Sequence, residues 1–179
     1  MRIIVFSILL FCRLFSYSQE TYILKELKTK TKIDGFVREM YEDKWCMLWM
    51  LTYDRIIRYD GTDIEQFDNI IKPDLRLRNA CMMKDKILLN YDHAELLLFD
   101  LKSLKAIKIV LPEEIKKPNF IKANGENVYI CCKTARKIYI CGLTGSLLKV
   151  TNIIYGIDAD EIFPITDTLV LTSNENQKE

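Results

Sequence analysis

Few side chains in this sequence suit acid–base or nucleophilic chemistry, and their spacing forms no catalytic pattern. The chain has one His, His93, and no GxSxG segment that would present a nucleophile. Asp158–Glu161 ("DADE") is the tightest acidic group, although a polar loop between strands accounts for it as well as a catalytic carboxylate pair does. Gly142–Ser146 ("GLTGS") lacks the spacing of a phosphate-binding loop. We therefore predict a protein with no catalytic residues; an enzyme is the less favoured alternative.

The cysteines indicate core packing rather than metal binding or a disulfide framework. The chain has 6 Cys and one His, and no two Cys form a CxxC pair, so a zinc site has almost no ligands to draw on. Cys131 and Cys132 are adjacent, and neighbouring residues of a strand point to opposite faces. We predict no metal site and no cofactor, and we interpret most Cys as small apolar core residues.

Composition and charge exclude some partners. The 179 residues are 49% hydrophobic and 28% charged, with 26 Lys and Arg against 25 Asp and Glu. Such a balanced, ordinary composition suits one globular domain and gives no global field that would attract nucleic acid. Ile115–Lys122 ("IKKPNFIK") is the densest basic stretch, and we interpret it as a solvated loop between strands.

Residues 1–18 have the features of an export signal. Arg2 precedes the apolar run Ile3–Phe11, which is too short to span a bilayer, and the small residues of Ser16–Ser18 favour cleavage after them. Lipidation at Cys12 is the less favoured alternative, because a lipidated Cys normally follows a small residue and this one follows a Phe. The sequence predicts a periplasmic or secreted protein whose mature chain, residues 19–179, has no transmembrane helix.

An apolar pattern recurs about every 40 residues, with starts at Leu48, Ile87, Val128 and Leu169. In the first three copies an apolar run breaks at a polar turn, resumes, and ends at a second turn rich in Asp or Gly. One further strand precedes and one follows. Four short strands per repeat are typical of a β-propeller blade. We predict an all-β, incomplete propeller of about four blades, at approximately 33–68, 75–111, 118–151 and 157–179.

The segment Thr21–Lys32 ("TYILKELKTKTK") allows two interpretations. Its Ile23, Leu24 and Leu27 could form one face of a short helix. We prefer an extended strand that completes a blade. Even with that strand, the repeats amount to three full blades and part of a fourth.

One repeat resembles a known family. Val37–Gly61 resembles the two-component regulator propeller repeat, with Leu51, Cys46 and Arg55-Ile56 standing where the family usually has Gly, Gly and Gly-Leu. The resemblance implies an extracytoplasmic propeller like those of bacterial hybrid sensor kinases, many of which detect saccharides. The residues that follow the family pattern in order are Asp43, Leu48, Trp49, Thr52, Tyr59, Asp60 and Gly61.

The turns between the second and third strands of the blades form the predicted binding face. Successive strands of a blade run antiparallel, so these turns share one end of the molecule. Aromatic and charged groups there could bind a saccharide or another small polar ligand through ring stacking and bidentate Arg contacts; the alternative is that they are solvated hairpin tips. The predicted ligand-binding residues are Tyr53, Asp54, Arg55, His93, Glu95, Lys133 and Arg136.

A second functional hypothesis comes from a different class of protein. Open blade edges could make the chain an assembly module that completes a propeller with a second chain or with another copy of itself. A third hypothesis is a remnant reading frame that retains no function. Saturable binding of a saccharide by a monomer favours sensing, whereas obligate oligomerisation without such binding favours assembly.

Overall fold

The computed structural model describes residues 36–68, 70, 75–166 and 170–173. The predicted export signal and the segment Thr21–Lys32 lie outside these residues. Three four-stranded antiparallel sheets follow one another along the chain, and a two-stranded sheet comes after them. We call them blades one to four. Their strands are β1 (Glu39–Glu42), β2 (Leu48–Leu51), β3 (Ile56–Tyr59) and β4 (Ile64–Phe67); β5 (Leu77–Met83), β6 (Lys86–Tyr91), β7 (Leu96–Asp100) and β8 (Lys105–Ile109); β9 (Phe120–Asn124), β10 (Asn127–Cys132), β11 (Lys137–Thr144) and β12 (Leu147–Tyr155); β13 (Glu161–Pro164) and β14 (Val170–Ser173).

The blades stand side by side through their first strands. Strand β5 lies beside β1 and packs on β9, and β9 packs on β13. The second and third strands of blades two and three are mostly buried, whereas the outer strands β8 and β12 alternate between buried and exposed residues. The prediction of an all-β, incomplete propeller is therefore confirmed for the described residues.

The core lies at the junctions between blades rather than inside any one sheet. Side chains alternate across a strand, so neighbours along β6 pack on different blades. Ile87 and Leu89 join the apolar cluster that holds Trp49 of blade one, whereas Leu88 joins the cluster that holds Ile130 of blade three. Each inner blade is thus covered on both faces, which explains its nearly continuous apolar runs.

The residues of blade one that follow the family pattern have structural roles. The indole N–H of Trp49 donates to the buried Asp43 carboxylate over 2.8 Å, and the other oxygen of Asp43 accepts the backbone N–H of Met47 over 3.0 Å. In the next turn Asp60 accepts the backbone N–H of Asp63 over 2.7 Å. These bonds fix the two turns at the lower end of the blade and hold the Trp ring in the core.

No helix among the described residues is both long and apolar enough to cross a membrane. The helical elements of that part of the chain are two short 3-10 turns, Asp92–Ala94 and Lys133–Ala135, which join second to third strands in blades two and three.

Candidate ligand-binding cleft

The turns that join second to third strands lie at one end of the blades, which we call the upper face. The backbone N–H of Leu77, where β5 begins, donates to the carbonyl of Tyr53 over 3.3 Å. In blade three the backbone N–H of Lys133 donates to the side chain of Asn119 over 2.8 Å, just before β9 begins. Each turn therefore sits beside the start of a first strand. The three turns are residues 52–55, 92–95 and 133–136, and they contain all seven predicted ligand-binding residues.

The three predicted residues of blade one bind each other and their own blade. Arg55 donates to Asp54 over 3.1 Å and to Gln66 of β4 over 3.1 Å. The hydrogen bond from Arg55 holds the pKa of Asp54 below its ordinary value. Tyr53 is 45% exposed, and the Arg38 guanidinium lies 4.7 Å from its ring centroid. Arg55 thus reaches outward along blade one.

Three further predicted residues also contact neighbouring elements. Glu95 accepts a hydrogen bond from Lys108 of the outer strand β8 over 2.9 Å. Lys133 forms an ion pair with Asp160, on the chain that enters blade four. Arg136 donates to the carbonyl of Gly156 over 3.3 Å. Each of these charges is therefore engaged at the rim or at the junction with blade four.

His93 is a predicted ligand-binding residue that lines a cavity. A cleft of about 330 Å³ opens on the upper face between blades two and three. Four segments of the chain build it: β5, the turn of blade two, the residues before β9, and the turn of blade three. We call it the interblade cleft. It is lined by Arg78, His93, Ala94, Lys117, Pro118, Asn119 and Thr134.

The backbone at the cleft wall is unusual for residues with side chains. His93, Ala94 and Lys117 have φ values of 65°, 61° and 54°, in the left-handed region that residues other than Gly seldom adopt. Such conformations are held by surrounding structure and are often found at ligand sites. The wall is therefore shaped by its neighbours rather than by local preference.

Two buried amides, outside the cleft lining, join blades two and three at the junction where the cleft opens. The side chain of Asn79 donates to the carbonyl of Ile121 over 2.7 Å and accepts the backbone N–H of the same residue over 3.3 Å, as a paired strand residue would. Asn90 is fully buried and donates to Asn79 over 3.1 Å and to the carbonyl of Asn119 over 3.5 Å. Because both acceptors are oxygens, they fix the orientation of the Asn90 amide. This network clamps blade two to blade three at that junction.

A second, more open depression of about 630 Å³ lies on the other side of the blade-three turn. It shares Thr134 with the interblade cleft, and Tyr139 in its wall donates to the carbonyl of Glu114 over 3.0 Å. Its lining mixes acids and bases. The residues are Glu113, Glu114, Lys116, Thr134, Ala135, Lys137 and Tyr139.

Sequence reasoning missed most of the cleft lining. Arg78 belongs to a strand rather than to a turn, and Ala94 and Thr134 are too small to attract notice. Lys117 lies in the basic stretch that we interpreted as a solvated loop. The structure divides that stretch between a buried Ile115, the cleft wall and strand β9.

Four of the five described thiols are placed for packing rather than reaction, whereas Cys46 is exposed. Cys81, Cys131, Cys132 and Cys141 are buried and free, and burial raises the pKa of Cys81 and Cys141 to about 12 and that of Cys131 and Cys132 to about 11. They stay protonated at neutral pH. As predicted, Cys131 and Cys132 face opposite junctions.

Within the described part of the chain, no three His, Cys, Asp or Glu residues are grouped to hold a metal ion.

Comparisons with solved structures show the propeller fold. A chain in the S. cerevisiae complex of Dbp5 bound to Nup159, Gle1, IP6 and ADP matches with a TM-score of 0.53 and 9% identity over 78% of this chain and 35% of that one. S. cerevisiae Sqt1 matches with a TM-score of 0.52 and 14% identity over 71% and 38%. YCF48 bound to D1 peptide gives a TM-score of 0.46 and 15% identity over 59% and 36%. This chain thus spans little more than a third of the solved chains it matches.

No family model and no curated protein matches the sequence. The identities to the solved structures are between 9% and 15%. At this level the likeness concerns architecture, and function has to be argued from the site.

Proposed function

We propose that this chain is a binding module, without chemistry of its own, that holds a small polar ligand in the interblade cleft. The observation that carries the proposal is the cleft itself, about 330 Å³ in volume and lined by four segments of the chain at the junction of two blades. Small-molecule sites are concave, begin at about 300 Å³ and often lie between structural units.

The junction that carries the cleft supports this proposal because buried hydrogen bonds already organise it. Asn79 and Asn90 are 4% and 0% exposed; three hydrogen bonds of their side chains join blade two to Asn119 and Ile121, and a fourth joins the two amides to each other. A site whose walls are held in place loses less conformational entropy when a ligand binds. The junction therefore suits recognition by a preformed pocket.

A sensory role outside the cytoplasm is the more specific form of the proposal. The resemblance of Val37–Gly61 to the two-component regulator propeller repeat supports it, and the export-signal features of residues 1–18 support a periplasmic or secreted location. Saccharides are then the first ligands to test. The chain would act by occupancy and would pass the signal to another protein.

A cleft-blocking substitution tests the proposal. Thr134→Trp places an indole in the wall of the cleft, whereas Thr62→Trp places one at an exposed turn of blade one. We expect a ligand found by calorimetric screening of mono- and disaccharides and amino acids to bind the wild type and Thr62→Trp saturably, and to lose binding in Thr134→Trp. Equal affinity in both variants would place the ligand elsewhere and refute the proposal.

Assembly with another chain is the second candidate function. Phe163, Ile165 and Leu171 of blade four are 41%, 53% and 56% exposed, although the second strands of blades two and three are almost wholly buried. Apolar side chains exposed together are typical of interaction surfaces.

Light scattering after size-exclusion chromatography separates the two candidates. A stable dimer that Leu171→Lys converts to a monomer supports assembly, provided that Leu147→Lys, at an equally exposed Leu of blade three (55% exposed), leaves the dimer intact. A wild-type monomer refutes homo-oligomeric assembly and leaves the ligand-binding proposal standing.

A further inference from the structure

The interblade cleft is rich in hydrogen-bond donors and poor in free acceptors. Among its seven lining residues are one Arg and one Lys, and none is an Asp or Glu. A ligand has to complement the groups that a site presents, since a buried donor without an acceptor lowers affinity. The balance of donors and acceptors in the lining therefore indicates the class of ligand.

Arg78 keeps most of its donors available. Its Nε donates to Asp92 over 2.7 Å, and its terminal nitrogens have no hydrogen bond to any residue that the structure describes. Asp92 does not line the cleft, so it fixes the plane of the guanidinium from behind. A guanidinium held in this way presents a planar pair of N–H groups that matches two oxygens of one anion.

Lys117 supplies a second positive charge. It lines the cleft and forms no ion pair or hydrogen bond with any residue in the described ranges. By contrast Lys108 and Lys133, two basic groups elsewhere on the upper part of the blades, are paired with Glu95 and Asp160. The charge of Lys117 is therefore available to a ligand in the cleft.

Asn119 and Thr134 add neutral donors. The side-chain oxygen of Asn119 accepts the backbone N–H of Lys133 over 2.8 Å, and its carbonyl accepts the amide of Asn90 over 3.5 Å. Both acceptors of Asn119 are thus engaged, and its amide nitrogen is the group that remains. The hydroxyl of Thr134, in the turn of blade three, is a further neutral donor in the lining.

We propose that the interblade cleft binds the oxyanion of its ligand, a carboxylate, sulfate or phosphate group, between Lys117 and the terminal nitrogens of Arg78, with Asn119 and Thr134 as neutral donors. This inference rests on the proposed ligand-binding function and narrows its ligand class from polar molecules in general to acidic ones. A neutral sugar leaves the Lys117 charge without a partner and the terminal nitrogens of Arg78 without an anionic acceptor, and therefore binds weakly.

Titration of the ¹⁵N-labelled full chain, followed by amide chemical shifts, tests the inference. The probes are galactose, galacturonate, galactose 6-sulfate and galactose 6-phosphate at constant ionic strength; they share one sugar and differ in the acidic group. We expect at least one acidic probe to shift the amides of Ala94, Asn119 and Thr134 saturably, and galactose to shift none of them. The acid that binds most tightly identifies which oxyanion the cleft prefers.

Two variants separate specific recognition from general attraction. Lys117→Gln should lower the affinity for the acidic probe about tenfold, which is the loss expected for one charge-assisted hydrogen bond. Lys116→Gln removes the neighbouring charge, which lies outside the interblade cleft, and should leave affinity unchanged. Both side chains are exposed, so neither change should disturb folding.

The remaining outcomes contradict the inference in distinguishable ways. Equal binding of galactose and the acids would refute the oxyanion assignment and leave the binding function intact. Equal losses in Lys117→Gln and Lys116→Gln would show diffuse electrostatic attraction instead of a site. No saturable shift with any acid would refute the oxyanion assignment as well, and the proposed function would then depend on the broader screen with Thr134→Trp.

Discussion

The junction between blades one and two and the junction between blades two and three differ in what occupies their upper ends. At the first, the Arg38 guanidinium lies 4.7 Å from the ring centroid of Tyr53 and donates to the carbonyl of Leu77 over 3.2 Å. At the second, a cleft of about 330 Å³ is open between the turns. Among the described residues, the same topology thus gives one junction whose upper end is filled by Tyr53 and Arg38 and one that is hollow.

Side-chain size at equivalent turn positions explains the difference. Tyr53 is the second residue after β2, and its counterparts after β6 and β10 are His93 and Thr134. At the next position blade two has Ala94 where blade one has Asp54. The shorter side chains leave space that a stacked Tyr and Arg take up in blade one. A repeated scaffold can therefore create a binding site through a few small residues, without any change of fold.

The largest expected effect concerns the clamp between blades two and three. Asn79→Ala removes both hydrogen bonds to the buried backbone of Ile121 and one from Asn90. Because those partners stay buried, we expect a loss of about 2–4 kcal/mol in the free energy of unfolding, measured in urea.

Tyr41→Phe is the matched variant at the first junction. It removes the hydrogen bond from the Tyr41 hydroxyl to the carbonyl of Ala80 at 2.7 Å and its longer contact with Glu39 at 3.2 Å, and should cost about 1 kcal/mol. Equal losses of unfolding free energy in Tyr41→Phe and Asn79→Ala would mean that polar contacts stabilise the two junctions equally. That result would contradict the expected difference between them.

The anchor of the first junction should show the next largest effect. Asp43→Asn turns an amide N–H toward either the Trp49 indole or the backbone N–H groups that Asp43 now accepts. We expect a loss of about 2 kcal/mol by urea unfolding followed by Trp fluorescence. Asp60→Asn is the control, because an Asn oxygen can still accept the two turn N–H groups of Thr62 and Asp63; a cost as large as that of Asp43→Asn would contradict this account.

Opening the filled junction should have a smaller effect. Arg38→Ala removes the stacking on Tyr53 and the bond to Leu77, and should cost about 1 kcal/mol of unfolding free energy. Affinity at the interblade cleft should be unchanged. A large loss of affinity in Arg38→Ala, measured by the same calorimetric titration, would show that the ligand contacts the first junction instead.

The smallest expected effect depends on pH and should be alike in blades one and two. Backbone N–H groups hold the pKa of Asp60 and of Asp100 below the ordinary value of 3.8. A lowered pKa in the folded state stabilises the fold above that ordinary value, and the contribution is lost as pH falls below it. The urea concentration at the midpoint of unfolding should therefore fall as the pH is lowered from pH 4, and it should fall less steeply in Asp100→Ala. If the urea midpoint of Asp100→Ala depends on pH as steeply as that of the wild type, the Asp100 carboxylate does not cause the dependence.

The fold was predictable from sequence because its signals are local. Apolar runs such as the one after Ile87 and turn residues such as Asp60-Gly61 specify strands and hairpins within a few residues. The cleft was not predictable in the same way. Its lining comes from Arg78, the turn at His93 and the segment ending at Asn119, and these meet only through the packing of two blades.

The candidate residues illustrate the same limit. Topology alone placed His93 and Arg55 on turns at one end of the molecule. It could not tell that Arg55 reaches outward to Gln66 of its own blade, whereas His93 lines a cavity. Side-chain direction depends on the partners that tertiary packing offers, and no spacing in the sequence reports those partners.

The most direct test of the central claim is a crystal of the full chain soaked in sodium selenate, with the anion located by selenium anomalous scattering. The account predicts an anomalous peak in the interblade cleft, within hydrogen-bond distance of Lys117 Nζ and a terminal nitrogen of Arg78. Peaks confined to other parts of the surface, or no peak at a selenate concentration that labels other sites, would contradict the claim that the hollow junction is the binding site.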